Sequence, residues 1–385
     1  MEVHVASINS CDRSRKDLPE IELVEADNTF YVKGGGMAKV ALRVLAIAFK
    51  NPVVTLRGFR AAQSLGGWNL KSRVYALFYL AEALLVGQWM RRNSLPHLHV
   101  HFGGPVATVG MLTAKAWQIP WSITLHGPDE FYDQEAFYLK QKIESAAFIV
   151  CISDFCRSQT LRISPEVPDS HLEVVRLGVD CCALQPRGSN STSSAARSLH
   201  LVCTGRLVSN KGHRILLEAI APLVASGLEL SCTLIGDGPE RKYLQSLSAD
   251  LSIGSQVHFL GAMAHQPALD EVAKADIFVL ASFGEGLPVS LMEAMALGVP
   301  CISTAIAAIP ELIHHGENGL LVPPANPEAL RLAIQQLAGD PTFRRELGLR
   351  SRATVENDYN LDRNLERLAA MWSRRLGNLS SHDVN

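Results

Sequence analysis

None of the eight cysteines stands in a C-x-x-C pair or shares a metal-ligand spacing with histidine. That excludes the common structural zinc motifs and a disulfide-framed scaffold. Cys11, Cys151, Cys156, Cys181, Cys182, Cys203, Cys232 and Cys301 are scattered, several in apolar strand-like runs. They read as reduced core thiols of a cytoplasmic protein. Net charge is also lacking: 36 Lys and Arg against 38 Asp and Glu leave −2, so there is no global pull towards nucleic acid. The N-terminus is mixed polar, without the apolar centre of a signal peptide. The longest apolar stretch, residues 74–90, carries Glu82 and Gln88 and suits a core helix better than a membrane span. No internal repeat is evident. Apolar residues, by contrast, make up 47% of the 385, enough for two packed domains of ordinary size.

The most informative stretch is residues 275–303, ADIFVLASFGEGLPVSLMEAMALGVPCIS, which reads as strand, loop, helix and strand. Residues 277–281 form a nearly continuous apolar run, as in a parallel strand buried on both faces. Pro288 suits the first helical position, where its missing N–H has no partner to lose. Gly298 ends the helix and Pro300 keeps it from resuming. Glu285 falls on the loop and Glu293 about a turn and a half into the helix. Such a loop lies at the C-terminal end of a strand, where open α/β sheets bind ligands.

In chain order, residues 2–8 form a plausible first strand, and residues 9–29 are polar and hard to assign. Gly34-Gly35-Gly36 precedes an apolar helix-like stretch, residues 37–49; the run is a flexible joint or, less simply, a phosphate cradle. Between residues 33 and 92 the charge balance breaks. Lys33, Lys39, Arg43, Lys50, Arg57, Arg60, Lys71, Arg73, Arg91 and Arg92 stand against a single acid, Glu82, and are interleaved with Leu42, Leu45, Phe49, Phe59, Trp68, Tyr75 and Phe78. Two readings stay open: a surface for an anionic bilayer, or a solvated basic face on core helices. His97, His99 and His101 alternate on a strand and share one face, but no nearby Asp, Glu or Cys completes a metal site. Residues 121–125 form a strand that ends in His126-Gly127-Pro128-Asp129, so His126 faces the ligand side of a sheet. Residues 148–152 are another buried strand, with Ser153 opening a helix, and residues 172–175 close the first domain. Residues 186–198, PRGSNSTSSAARS, are the clearest linker. Beyond it, residues 199–204 are a strand, followed by the loop Gly205 to Gly212. Residues 230–235 and 257–260 are strands ending in Gly236-Asp237-Gly238-Pro239 and Gly261-Ala262-Met263. The segments 327–338, 342–359 and 361–376 are helical, and residues 377–385 read as a disordered tail.

EGLPVSLMEAMALGVPCIS resembles the Glu-x7-Glu signature of retaining, nucleotide-sugar-dependent glycosyltransferases of group 1, particularly the exopolysaccharide and colanic-acid type. The resemblance covers residues 97–375 and is most specific over 199–325. It implies an α/β protein of the GT-B fold, with two Rossmann-like domains facing across a cleft. They would span residues 1–185 and 199–360, and a helix at 361–376 would cross back to the first. The donor would be a nucleoside-diphosphate sugar, UDP- or GDP-linked, used as a substrate with no cofactor and no metal. The acceptor would be a glycan or a polyprenyl-linked glycan at the inner membrane face, with no role for nucleic acid.

By the same resemblance, Arg206 and Lys211 would bind the diphosphate, Arg as a planar fork and Lys as a point charge. Glu285 would hold sugar hydroxyls, with Gly286, Leu287 and Pro288 at the helix start. Glu293 would accept from the ribose, and Gly236, Gly238, Gly261 and Met263 would flank the base. His126, in a His-Gly-x-Asp context, would reach the donor sugar. The catalytic set is His126, Glu285, Arg206 and Lys211. One departure stands out: the chain starts as if at the family's second strand, so about one βα unit is expected to be missing. That leaves two other readings, a non-catalytic nucleotide-sugar-binding relative and a GT-B sugar-nucleotide epimerase.

Overall fold

The computed structural model describes residues 2–10, 18, 20–65, 70–186 and 198–382. The chain forms two compact units, one of residues 1–150 and 159–173, the other of 151–158 and 174–385. The division departs from an expected boundary at residue 185, for a local reason. The backbone N–H groups of Asp154 and Phe155 donate to the Glu311 carboxylate at 3.0 and 2.6 Å, and Arg176 pairs with Asp154 at 2.8 Å. Ile152 packs in one core with Val179, Cys181 and Leu184. Apart from Pro186 and Ser198, the expected linker lies outside the described residues.

The first unit opens with β1 (Ala6–Ser7), α1 (Glu20–Asn28) and β2 (Phe30–Tyr31). The strand expected at residues 2–8 is corrected here: only two residues pair, in a separate two-stranded parallel sheet with β2. The Gly34–Gly36 run forms the turn into α2 (Met37–Lys50), which is followed by α3 (Pro52–Leu65) and α4 (Leu70–Arg92). Next come β3 (Leu98–His101), α5 (Pro105–Trp117), β4 (Trp121–Leu125), α6 (Asp129–Tyr132), α7 (Leu139–Ser145), β5 (Phe148–Cys151), α8 (Asp154–Ile163) and β6 (Leu172–Val174). The four longer strands form a sheet in the order β3-β4-β5-β6. β4 and β5 are buried throughout, as their apolar sequences require when both faces are covered. α4 is anchored on α5: Thr113 Oγ1 donates to Ala83 O at 3.3 Å, and Arg91 donates to Trp117 O at 3.1 Å. α4 therefore buries Leu80, Leu84, Leu85 and Met90 as a core helix. Among the described residues no helix is long and apolar enough to cross a membrane.

The second unit runs β7 (Leu199–Thr204), α9 (His213–Ala225), β8 (Leu230–Ile235), α10 (Arg241–Asp250), β9 (Val257–Gly261), α11 (His265–Val272), β10 (Ile277–Leu280), α12 (Val289–Ala296), β11 (Cys301–Thr304), α13 (Ile309–Leu312), β12 (Leu320–Val322), α14 (Pro327–Gly339), α15 (Pro341–Asp358) and α16 (Leu361–His382). α16 belongs with this unit and is longer than expected: residues 377–382 of the expected tail are helical, and 383–385 lie outside the described residues.

The sheet order is β12-β11-β10-β7-β8-β9, with every neighbouring pair parallel. Side chains alternate between its faces. Leu201, Cys203, Ile277 and Val279 enter one core, while Val202, Phe278 and Leu280 enter the other. From β7 the chain winds outward through β8 and β9, then returns to lay β10 on β7's other side. That reversal is a topological switch point, and the loops after β7 and β10 open there together.

Candidate active site

The two loops at the switch point are locked by backbone contacts before any charge is considered. Phe283 N–H donates to Asn210 O at 2.8 Å, and Ser282 Oγ lies 3.0 Å from the same oxygen. Gly212 has φ +65°, and a Cβ there would lie 1.9 Å from Ala281 O. Gly236, with φ +140°, would clash equally with Gly205 O. Only glycine allows both the left-handed backbone and this approach. Gly212→Ala should therefore destabilise the protein by on the order of 3 kcal/mol or more, read from chemical or thermal unfolding. A shift under about 1 kcal/mol would contradict this packing.

On that frame Lys211 Nζ reaches Glu285 Oε1 at 2.6 Å, and Ser282 Oγ lies 2.7 Å from the same oxygen. Glu285 is only 7% exposed, so the ammonium offsets a carboxylate largely removed from water. His213, just beyond Gly212, is buried, and burial pushes it down to about 4, with Lys211 adding to the shift. It is thus neutral at neutral pH and adds no second charge beside Lys211. Beside the loops is a cavity of about 450 Å³ whose lining includes Arg206, Gly236, Asp237, Met263, His265 and Glu293. Pro288 caps α12 at φ −73°, ψ 115° rather than taking the first helical position read for it from sequence, so the helix starts one residue later. The first-turn N–H groups of α12 therefore begin at Val289. Leu287 places its side chain in the core, so this position offers a ligand only its backbone.

In the first unit, His126 follows β4, whose Ser122 and Thr124 share its face by strand alternation. The β3–β4 register sets His99 against Ser122 and His101 against Thr124. His97 Nε2 lies 2.7 Å from Ser122 Oγ, and His99 bridges Ser122 Oγ and Thr124 Oγ1, both at 2.8 Å. The three-histidine face is thus engaged with hydroxyls and, through His101, with His126 at 3.1 Å. Burial pushes His97 to about 4, His99 to about 3 and His126 to about 4, and lowers His101, so these rings are neutral at neutral pH. The His126 N–H donates to Glu130 Oε1 at 3.0 Å.

A family profile described as Glycosyltransferase Family 4 matches residues 37–182, and one described as Glycosyl transferases group 1 matches residues 198–340. WcaL of Escherichia coli K12, named a colanic acid biosynthesis glycosyltransferase, is 33% identical over 321 residues, 80% of this chain and 77% of WcaL. The chain belongs to the group 1 glycosyltransferases. AmsK of Erwinia amylovora, named an amylovoran biosynthesis glycosyltransferase, is 30% identical over 54% of this chain and 52% of its own length. Among solved structures, a sucrose-phosphate synthase from Thermosynechococcus elongatus superposes with a TM-score of 0.69 at 21% identity, over 77% of this chain and 78% of that one. HepE of Anabaena, solved with UDP-glucose, gives 0.66 at 19% identity over 76% and 82%. These likenesses establish the GT-B fold.

Within this glycosyltransferase, four of the residues singled out from sequence, Arg206, Gly236, Met263 and Glu293, line one cavity. Lys211 and Glu285 meet each other. Gly238 and Gly261 serve the backbone: a Cβ on Gly238 would strike the Leu207 carbonyl, and Gly261 O accepts from Gly236 N–H at 2.8 Å. His265 was not among the residues singled out. Its Nε2 lies 2.6 Å from Glu293 Oε1, across 28 residues of sequence. Its position at the start of the helix after β9 was the available signal, since other loops at that sheet end carry the site.

Proposed function

We propose that the chain transfers a hexose from a nucleoside-diphosphate sugar to a hydroxyl of a saccharide or lipid-linked glycan, with retention at the anomeric carbon. The observation that carries this is the junction of Lys211 and Glu285 at the switch point, beside a cavity lined by Arg206 and Glu293. A cation and a buried carboxylate at that place suit a substrate that is anionic at one end and rich in hydroxyls at the other. The complexes of HepE with UDP and with UDP-glucose support a uridine or similar donor. Glu293 takes the ribose hydroxyls, Glu285 the sugar hydroxyls, and His126 a sugar hydroxyl. The anomeric C–O bond breaks with its electron pair moving to the diphosphate, where Arg206 and Lys211 stabilise the growing charge. The acceptor oxygen bonds to the same carbon from the same face and its proton passes to the leaving phosphate. Two cations on the leaving group make a metal unnecessary.

Purified protein incubated with UDP-, GDP- and ADP-sugars should bind one donor and hydrolyse it slowly, with no effect of EDTA. Loss of activity in EDTA, restored by a divalent ion, would refute the metal-free reading. Binding without turnover by any acceptor or water would favour a non-catalytic relative.

The outer faces of α2, α3 and α4 support a place for this reaction, the inner surface of the plasma membrane. Leu42, Leu45, Phe49, Leu56 and Phe59 are exposed, Phe49 by 90%. Not every nearby cation is available: Lys33 pairs with Glu82 at 2.9 Å, Arg43 lies over the Phe30 ring and Arg57 donates to Gln118. Apolar contact therefore carries more of this docking than the charge count suggests. Co-sedimentation with anionic vesicles should weaken as salt rises, and Phe49→Ser should reduce it. Equal binding to neutral vesicles at all salt concentrations would remove the electrostatic part.

A further inference from the structure

His126 is held from three directions. Its Nε2 lies 3.1 Å from His101 Nδ1. The Phe102 ring stacks on it, with centroids 4.2 Å apart and planes 27° from parallel. Its backbone N–H is tied to Glu130. Phe102 is itself in the left-handed region at φ +67°, a conformation that a bulky aromatic side chain rarely adopts. Strain of this kind persists where the surroundings fix it, and here it places the ring over His126. A left-handed turn after β3 thus brings two consecutive residues, His101 and Phe102, onto one imidazole.

We propose that His101 is a positioning residue for His126. It occupies Nε2, fixes the tautomer and presents Nδ1 as the ring nitrogen that meets a hydroxyl of the donor sugar, while Phe102 sets the plane of the ring. This rests on the reading of His126 as the group that reaches the sugar. The chemistry of the pair is restrictive. Between two neutral rings, one nitrogen of the contact carries the proton and the other accepts it. If His126 gives its Nε2 proton, its Nδ1 is an acceptor for a hydroxyl. If His126 accepts from His101, its Nδ1 carries hydrogen and donates. In both cases His101 decides which partner His126 can serve. The lowered proton affinities of both rings keep the pair in this neutral state at neutral pH. The other titratable groups around it are His99, edge-on to His101 at 4.9 Å, and Glu130, with Lys142 acting on Glu130.

The test uses the whole chain in four variants: His101→Phe, His101→Asn, His126→Ala and the double variant His101→Phe/His126→Ala. Side-chain nitrogen NMR of the donor-free protein should show His126 in a single neutral tautomer. In His101→Phe it should show a tautomer mixture or the opposite form. His101→Asn places an amide where Nδ1 was and should restore one tautomer. In donor hydrolysis, His101→Phe should lower kcat/KM about 10- to 100-fold. His101→Asn should recover most of it, and His101→Phe combined with His126→Ala should be no worse than His126→Ala alone. An unchanged His126 tautomer in His101→Phe overturns the proposal, as does full activity of that variant while His126→Ala is impaired. Full activity of His126→Ala with a shifted tautomer in His101→Phe overturns instead the sugar-contact reading on which the proposal rests.

Discussion

Lys211→Ala should lower turnover by about two to three orders of magnitude, with a much smaller change in donor KM. The ammonium meets Glu285 at 2.6 Å, where the loops after β7 and β10 converge. In the proposed reaction the leaving diphosphate gains negative charge only as the anomeric bond breaks. A cation placed there acts more on the transition state than on the bound donor, so its loss appears in kcat. A second effect must be separated from this one. With Lys211 gone, the 7%-exposed carboxylate of Glu285 keeps, among the described residues, the Ser282 hydroxyl as its side-chain partner. An uncompensated charge at such a site costs about 3–5 kcal/mol when fully buried. Combining Lys211→Ala with Glu285→Gln removes that charge and should recover stability without recovering turnover. Lys211→Arg should rescue only partly, because a planar fork does not replace a point charge on a four-carbon stem. A Lys211→Ala protein with near-normal kcat would take Lys211 out of the reaction.

Local elements of the second unit were legible because its strands are covered on both faces. Residues 199–204 and 230–235 were read as strands from their apolar runs, and β7 and β8 have those bounds. Each site residue there could also be singled out on its own. The pairing of Lys211 with Glu285, 74 residues apart, could not be read, because sheet order decides which loops meet. His265 escaped for the same reason. Polar alternation misled once in the first unit. Residues 2–8 alternate like a strand of the main sheet, yet among the described residues β1 pairs with β2 in a separate sheet, since periodicity gives a face and no partner. The sequence around 97, 99 and 101 put three rings on one face and argued against a metal there, but could not say what engages them; the β3–β4 register supplies Ser122 and Thr124. A hydroxyl on the next strand was the missing information.

Lys142→Met should destabilise the protein by about 2–5 kcal/mol at neutral pH, a large effect for a residue that carries no chemistry. Lys142 is fully buried, and its Nζ donates to Gly103 O at 2.7 Å and Gly104 O at 2.8 Å. Those carbonyls form the loop between β3 and α5, and nothing in a methionine can satisfy them. The pH dependence gives a sharper test than the loss itself. Burial pushes Lys142 from 10.5 down to about 7, against the opposing charge of Glu130. Between these values the unfolded chain holds the proton more tightly than the native protein does. Stability from this group therefore rises as pH increases from about 7 towards 10.5, by at most about 1.4 kcal/mol per pH unit. Below about pH 7 both states are protonated and the slope vanishes. The stability gap between wild type and Lys142→Met should thus widen on the alkaline side, measured by denaturant titration at pH 7, 8 and 9. A gap that stays constant across those conditions would mean that the ammonium remains charged in the fold. The two carbonyls and Glu130 would then outweigh the cost of burying it.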